Sequence, residues 1–374
     1  MALDSNNGAQ SEDPKSGELP VGDDEAGDMD HMERISAVCE LFTKGKTVKE
    51  ITEELKRSYP KFGPLKRETP YKYVREAGKR GFLRFVPPLQ HVFAKRITDK
   101  FYKLKRVSVV HTATSFDVAR ETANMLLRLV QQCHKANKDR NVVHIGFAAG
   151  LSMRQVAQSF AELLTYPASD LPKKIVFHAM LSGHDPGNPT TDPNNFFTFF
   201  LHPPTLKVET EFVGFRAPTI VRTSAIPIFM EIEEITDAFD AASQLDIIVT
   251  SGSDWVDKHS SLRLCMKRSS STLQTLRDAG TLVDMLWRPI GADGPITTAT
   301  ELRALTLIEL GDLTEFIESG KHVLLMLGPC GVCNEHKGRV FETIVCQKNQ
   351  LVSHVVADSR TAAHLVSAID EGRI

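Results

Sequence analysis

The spacing of hydrophobic positions changes twice along the chain. Residues 1–30 are dominated by Ser, Asn, Gly, Asp, Glu and Pro, with no apolar period. Such a segment buries too little apolar surface to offset the entropy of ordering it, and it is predicted to be a disordered acidic tail. From residue 31 the spacing becomes helical. Ile35, Val38, Cys39 and Phe42 recur at intervals of three and four, predicting a helix over 32–43 that Gly45 stops. Thr47, with Glu50 three positions later, forms a capping-box pattern that opens a second helix with Ile51 and Leu55 inward. A turn rich in Pro and Gly (59–64) leads to a third helix, with Thr69 as its cap and Pro70 in its first turn. Tyr73, Val74 and Ala77 form its inward stripe, so Tyr71, Lys72, Arg75 and Lys79 point outward. Gly81 ends this helix, a short apolar strand begins at Phe82, and Pro87 and Pro88 close the segment. A mixed helix over about 90–103 follows.

After Arg106 the pattern changes again. Short apolar runs at 107–111, 142–147, 174–180, 245–250, 323–327 and 352–357 alternate with amphipathic stretches at 117–135, 153–164, 235–242, 271–279 and 340–346. That alternation predicts an α/β domain built on an open, mostly parallel sheet. The expected organisation is a tail (1–30), a winged helix-turn-helix (31–88), a linker helix (89–105) and an α/β domain (106–374).

Charge sharpens this picture. The 374 residues carry a net charge of only -2, but the two signs are segregated. Residues 1–30 hold nine acids and one Lys, whereas residues 31–106 hold twenty Lys or Arg against eight acids. A small basic domain with an outward cationic helix face has the electrostatic footprint of a polyanion binder. In a winged helix-turn-helix the second helix of the motif lies in the DNA major groove. The expected DNA-binding residues are Arg67, Thr69, Tyr71, Lys72, Arg75 and Lys79, and the expected partner is an operator duplex. Paired half-sites on DNA then call for a homodimer or homotetramer assembled by the α/β domain.

Six cysteines in a chain this long, without paired small-domain spacing, do not suggest a disulfide scaffold. Cys330 and Cys333 form a lone C-x-x-C with no second pair and no His in zinc-finger register, so no metal and no redox role are expected. No apolar run reaches the roughly 18 residues of a membrane span, and no signal segment opens the chain. A cytoplasmic protein without membrane or cofactor is expected.

In open α/β sheets ligands sit beyond the carboxyl ends of the strands. Four such ends carry small or polar loops, at 148–153, 181–192, 251–254 and 328–337. Backbone N–H groups in such loops, with a helix dipole behind them, suit a phosphate. Ser152, Ser182, Ser251 and Ser253 add hydroxyl donors, and Lys337 and Arg339 stand near the start of the last helix.

These stretches carry a family resemblance. Residues 65–85, 142–153, 245–253, 276–294 and 352–363 resemble, in order, successive motifs of the SorC (sorbitol-operon regulator) family. The motifs are the recognition helix and wing, the strand with its phosphate loop, a strand ending in a Gly-x-Gly-like turn, a strand with an acidic residue followed by an Asp-Gly hairpin, and a closing strand and helix. The likeness spans about nine-tenths of the chain. It implies a DNA-binding transcription regulator with a Rossmann-like effector domain related to sugar-phosphate isomerases, glucosamine-6-phosphate deaminases and coenzyme A transferases. It also implies a sugar or sugar-phosphate effector touching Gly150, Ser152, Met153, Ser182, Gly183, Ser251, Ser253, Asp284 and Lys337, with Lys337 nearest the family's phosphate-contacting Lys. Three stretches depart from the family pattern: a longer connection at 57–65, a Pro/Asn-rich loop at 181–192, and Gly328 to Cys333 in place of Gly-Gly. The alternative is an isomerase- or deaminase-like enzyme with an accessory basic domain, using Asp254 or Asp284 as its base.

Overall fold

A computed structural model describes residues 23–58, 60, 66, 68–79, 83, 86–166, 169–182, 188–201 and 206–374, without the side chains of 23–30. The chain divides between Val86 and Pro87 into two compact units.

Among the described residues the first unit contains three helices, α1 (Asp23–Thr43), α2 (Val48–Ser58) and α3 (Thr69–Lys79). Ala37 and Val38 of α1 pack on Ile51 and Leu55 of α2. Ile35 and Cys39 pack on Ala77 of α3, and Tyr73 and Val74 bridge the two clusters. The capping box forms as its spacing requires. The Thr47 N–H donates to Glu50 Oε2 at 2.7 Å, and the Glu50 N–H returns to Thr47 Oγ1 at 3.3 Å.

Two boundaries differ from expectation. Helix α1 begins at Asp23, so residues 23–30 are helical where the composition predicted a disordered tail. Helix α3 takes its first backbone bond on Glu68, from the Lys72 N–H at 3.2 Å, so Glu68 is its cap and Thr69 its first residue. Arg67, Gly81, Phe82 and Phe85, with all of the 59–64 turn but Pro60, lie outside the described residues.

The second unit begins at Pro87 and contains the sheet. Its strands are β1 (Arg106–Val110), β2 (Val142–Phe147), β3 (Lys174–Ala179), β4 (Glu209–Val213), β5 (Ile220–Arg222), β6 (Ile247–Asp254), β7 (Val283–Met285), β8 (Arg288–Ile290), β9 (Leu302–Ala304), β10 (His322–Leu327) and β11 (His354–Asp358). Among the described residues seven strands pair in parallel in the order β1-β11-β10-β6-β2-β3-β4. Strands β10 and β11 are nearly continuous apolar runs because both faces are covered. Successive strands step outward from β2 through β3 to β4, whereas β6, β10 and β11 step the other way. The direction of winding therefore reverses between β2 and β6, and a crevice opens at such a switch point.

Helix α4 (His91–Lys100) belongs to this unit rather than linking two. Ile97 lies in the sheet's core, Leu89 bridges Val110, and Arg96 pairs with Asp370. Helices α5 (Ser115–Ala136) and α6 (Leu151–Leu163) pack side by side on one face. Among the described residues no helix is long and apolar enough to cross a membrane.

Residues 251–254, expected as a loop, continue β6. There Gly252 pairs with Met285, Ser253 with Asp284 and Asp254 with Val283 of the antiparallel β7. The change matters to the site. In a strand Ser251 and Ser253 share one face, with Gly252 turned to the other.

Candidate functional site

A cavity of about 240 Å³ opens at the carboxyl ends of β2 and β6, at the switch point. Gly150, Ser152, Ser251, Ser253, Asp284 and Lys337 all line it, so six of the nine residues expected to meet an effector are brought together.

Helix α6 points its first turn at this space. Gly150, its cap, has φ 119° and offers no side chain to the helix. The Gly150 N–H is committed to the Thr191 carbonyl at 2.9 Å. The first-turn N–H groups beyond it have no acceptor within the helix and carry its positive end toward the cavity.

On the opposite side stand one cation and one buried acid. Lys337 caps the helix Gly338–Val345 and donates from Nζ to the Gly252 carbonyl at 2.8 Å. Burial holds its ammonium below the usual lysine range, against the pull of Cys330, Asp284, Asp257 and Asp358 around it. Asp284 is 4% exposed. Burial pushes its carboxyl up to about 7, even though the Ser260 hydroxyl donates to it at 3.0 Å and Lys337 lies near. A carboxyl poised there can accept or donate a hydrogen bond at neutral pH.

Two of the remaining three expected residues, Met153 and Ser182, are not part of the wall. Met153 is fully buried in the core beneath α6, because the third position of the helix turns its side chain inward. The Ser182 hydroxyl donates to the Ala217 carbonyl, and its own carbonyl accepts from Thr219, so it ties two loops together away from the cavity. Gly183 lies outside the described residues. Asp254, considered as a base, faces Arg339 at 3.6 Å and does not line the cavity.

Asn188, Asp257, His259, Leu286, Trp287 and Cys330, none of them expected from the sequence, also line the cavity. Leu286 and Trp287 form the two-residue turn between β7 and β8, with φ of 53° and 57°. Turns with positive φ at both central positions usually take Asn or Gly. Two large apolar residues give no turn signal, and their strained backbone borders the cavity.

In the first unit α3 presents the expected faces. Ala77 is buried and Tyr73 and Val74 are half-buried, while Lys72, Arg75 and Lys79 are exposed and Tyr71 is 56% exposed. Tyr71 meets Phe42 edge to face at 6.5 Å, and Lys72 reaches Glu68 at 3.5 Å. Thr69 is half-buried at the start of the helix.

Among solved structures the chain is similar to the full-length sorbitol operon regulator SorC from Klebsiella pneumoniae. Identity is 13% and the TM-score 0.61, over 90% of this chain and 98% of that one. It has the fold of SorC-type regulators. A transcriptional regulator from Streptococcus pneumoniae TIGR4 matches at 16% identity and TM-score 0.56, over 76% and 98% of the two chains. A DeoR family transcriptional regulator from Listeria monocytogenes matches at 16% and 0.53, over 73% and 98%. No family model and no curated protein matches the chain.

Proposed function

We propose that this protein is a transcription regulator that binds operator DNA through α3 and is controlled by a sugar or sugar phosphate in the cavity. One observation carries the reading: the cavity combines the N-terminus of α6, two serines on one strand face, a buried carboxyl and a lysine at the sheet's switch point. Fixed N–H groups and Lys337 suit a phosphate, and Ser251, Ser253 and Asp284 suit hydroxyl groups. The exposed cationic face of α3 supplies the DNA-contacting surface, and the regulators of the same fold support the pairing of the two units. The need to span two half-sites calls for a homodimer or homotetramer, and the same reading puts the protein at work in the cytoplasm.

The Asp284 carboxyl, with its pKa near 7, also favours the second reading, a sugar-phosphate isomerase or deaminase, because a general base works best near ambient pH. Two experiments separate the readings. Thermal unfolding against a panel of sugars and sugar phosphates finds the ligand, since 100 times its Kd adds about 2.7 kcal/mol. Selection from a random DNA pool, repeated with and without that ligand, finds the operator. A ligand that is consumed, and no DNA sequence enriched, would favour the enzyme.

A further inference from the structure

Four side chains with no part in the effector reading meet at the rim of the cavity. Asp257 and His259 lie between β6 and the helix Ser261–Met266, while Cys330 and Cys333 lie in the loop after β10. One ligand atom from each, a carboxylate oxygen, an imidazole nitrogen and two sulfurs, all lie within 4.8 Å of one another. His259 Nδ1 stands 3.1 Å from Asp257 Oδ1 and 3.7 Å from Cys330 Sγ. Asp257, His259 and Cys330 are half-buried, and Cys333 is exposed.

We propose that Asp257, His259, Cys330 and Cys333 form a tetrahedral zinc site that ties the loop after β6 to the loop after β10. Zn–S bonds of about 2.3 Å and Zn–N or Zn–O bonds of about 2.0–2.2 Å place the four atoms of such a tetrahedron roughly 3.3–3.8 Å apart. The separations here are already close to that, and side-chain rotation within each loop closes the rest. Two thiols, an imidazole and a carboxylate select Zn²⁺ over the hard cations Mg²⁺ and Ca²⁺, which take oxygen. On binding, the two thiols release their protons and the Nδ1 lone pair of His259 and a carboxylate oxygen of Asp257 complete the shell.

The backbone around the cysteines is organised for this. Burial raises the Cys330 thiol above its ordinary range, and the Val332 and Cys333 N–H groups beside it pull the other way. Asn334, at φ 60°, turns the chain so that its N–H donates to the Cys330 carbonyl at 2.9 Å, and the Cys330 N–H donates to Glu335 at 2.9 Å. Arg360 holds the Asn334 carbonyl at 2.8 Å. A lone His–Asp contact would explain two of the four residues, but not the convergence of both thiols on them. The pattern escaped the sequence because the ligands fall in two pairs about 70 residues apart. Only the parallel pairing of β6 with β10 brings those loops together.

The inference does not depend on the effector or DNA reading, and neither ligand enters its test. Full-length reduced protein is incubated with zinc, passed over chelating resin and analysed for metal. One zinc per chain should remain, and Cys330→Ser with Cys333→Ser should retain none while keeping its helical circular dichroism. Cobalt-substituted wild-type protein should show thiolate-to-cobalt charge transfer and the intense visible bands of a tetrahedral ion, a readout that needs no variant to fold. Asp257→Asn should weaken zinc binding at least tenfold. Zinc lost from the wild type on the resin, zinc retained unchanged by the double variant, or a cobalt spectrum without thiolate bands would each overturn the proposal.

Discussion

Lys337 Nζ donates to the Gly252 carbonyl at 2.8 Å, so the ammonium is held against the end of β6, between Ser251 and Ser253. Its position is therefore set by the same strand that presents the two hydroxyls. Replacing Lys337 with Met keeps most of the stem volume and removes the charge. A charge-assisted hydrogen bond is worth roughly 1.5–3 kcal/mol, so sugar phosphates should bind about ten- to a hundred-fold more weakly to Lys337→Met. Neutral sugars should be affected far less. Titration calorimetry with a phosphorylated and an unphosphorylated form of the same sugar checks this, and equal losses for both would place the phosphate elsewhere.

Asp284 costs the fold stability at neutral pH. Its pKa is raised from 3.8 to about 7, so the folded protein keeps a proton that the unfolded chain has released. The cost grows as pH rises through 3.8 and levels off above 7, reaching a few kcal/mol, about 4 at most. Asp284→Asn removes it while keeping the shape. Denaturant midpoints should show the variant more stable than wild type at pH 7, and the gain should vanish toward pH 4. A variant less stable at pH 7 would mean that the carboxylate is ionised in the fold.

Four histidines act in the opposite sense. His144 Nδ1 lies 2.9 Å from His178 Nε2, and His322 meets His354 edge to face at 5.2 Å. Burial is the main cause that lowers all four, His178 and His322 to about 4 and His354 to about 3. The unfolded chain takes up these protons near pH 6.5 and the folded one does not, so stability is full above that value and lost as pH falls toward 4. For fully buried His178 alone the loss is of order 3 kcal/mol. Several histidines outweigh the single contrary carboxyl, so unfolding free energy should fall steeply between pH 6.5 and 4. His178→Phe should flatten that slope. A slope unchanged in every His variant would assign acid unfolding to other groups.

Gly252 has no room for a side chain. A Cβ there would sit 2.7 Å from Val340 Cγ1 and 2.9 Å from the Asp284 carbonyl, which is backbone and cannot swing aside. Gly252→Ala should therefore cost about 1–3 kcal/mol and push β6 from β7, loosening the Ser253–Asp284 pair. Gly150→Ala meets no atom but must hold φ 119°, so its penalty falls on the start of α6. Equilibrium denaturation should show both variants less stable with unchanged m-values. Wild-type stability in Gly252→Ala would contradict the β6–β7 register.

How far the sequence sufficed depends on whether the signal is local. The parallel sheet, the small-residue loop at Gly150 and the stripe of Tyr73, Val74 and Ala77 are short-range patterns, and each is legible. Ser251 and Ser253 are legible too, but as a loop, because their strand character comes from pairing with β7. Ser182 misleads because a serine's availability depends on what it bonds, here Ala217. Met153 is drawn in by adjacency to Ser152, although helical geometry turns it toward the core. Asp257 and His259 are invisible, since nothing near them in the chain marks them as neighbours of Cys330.

The last expectation concerns DNA. Tyr71, Lys72, Arg75 and Lys79 lie exposed on α3 opposite the buried Ala77, a face that can lie in a groove while the helix stays packed on α1. Arg75 and Lys79 are one helical turn apart, the spacing of side chains that share a face. Each cation that no longer neutralises a phosphate should lower the salt slope of log affinity by about 0.9, so Arg75→Ala with Lys79→Ala should reduce it by roughly two. Neither side chain belongs to the small core of this unit, so thermal stability should hold. Fluorescence anisotropy with the selected operator at several salt concentrations reads both the affinity and the slope. Unchanged slope and affinity would remove α3 from the DNA interface. A lower affinity with an unchanged slope would point instead to base recognition by these two residues, and loss of discrimination between operator and mutated operator would then follow.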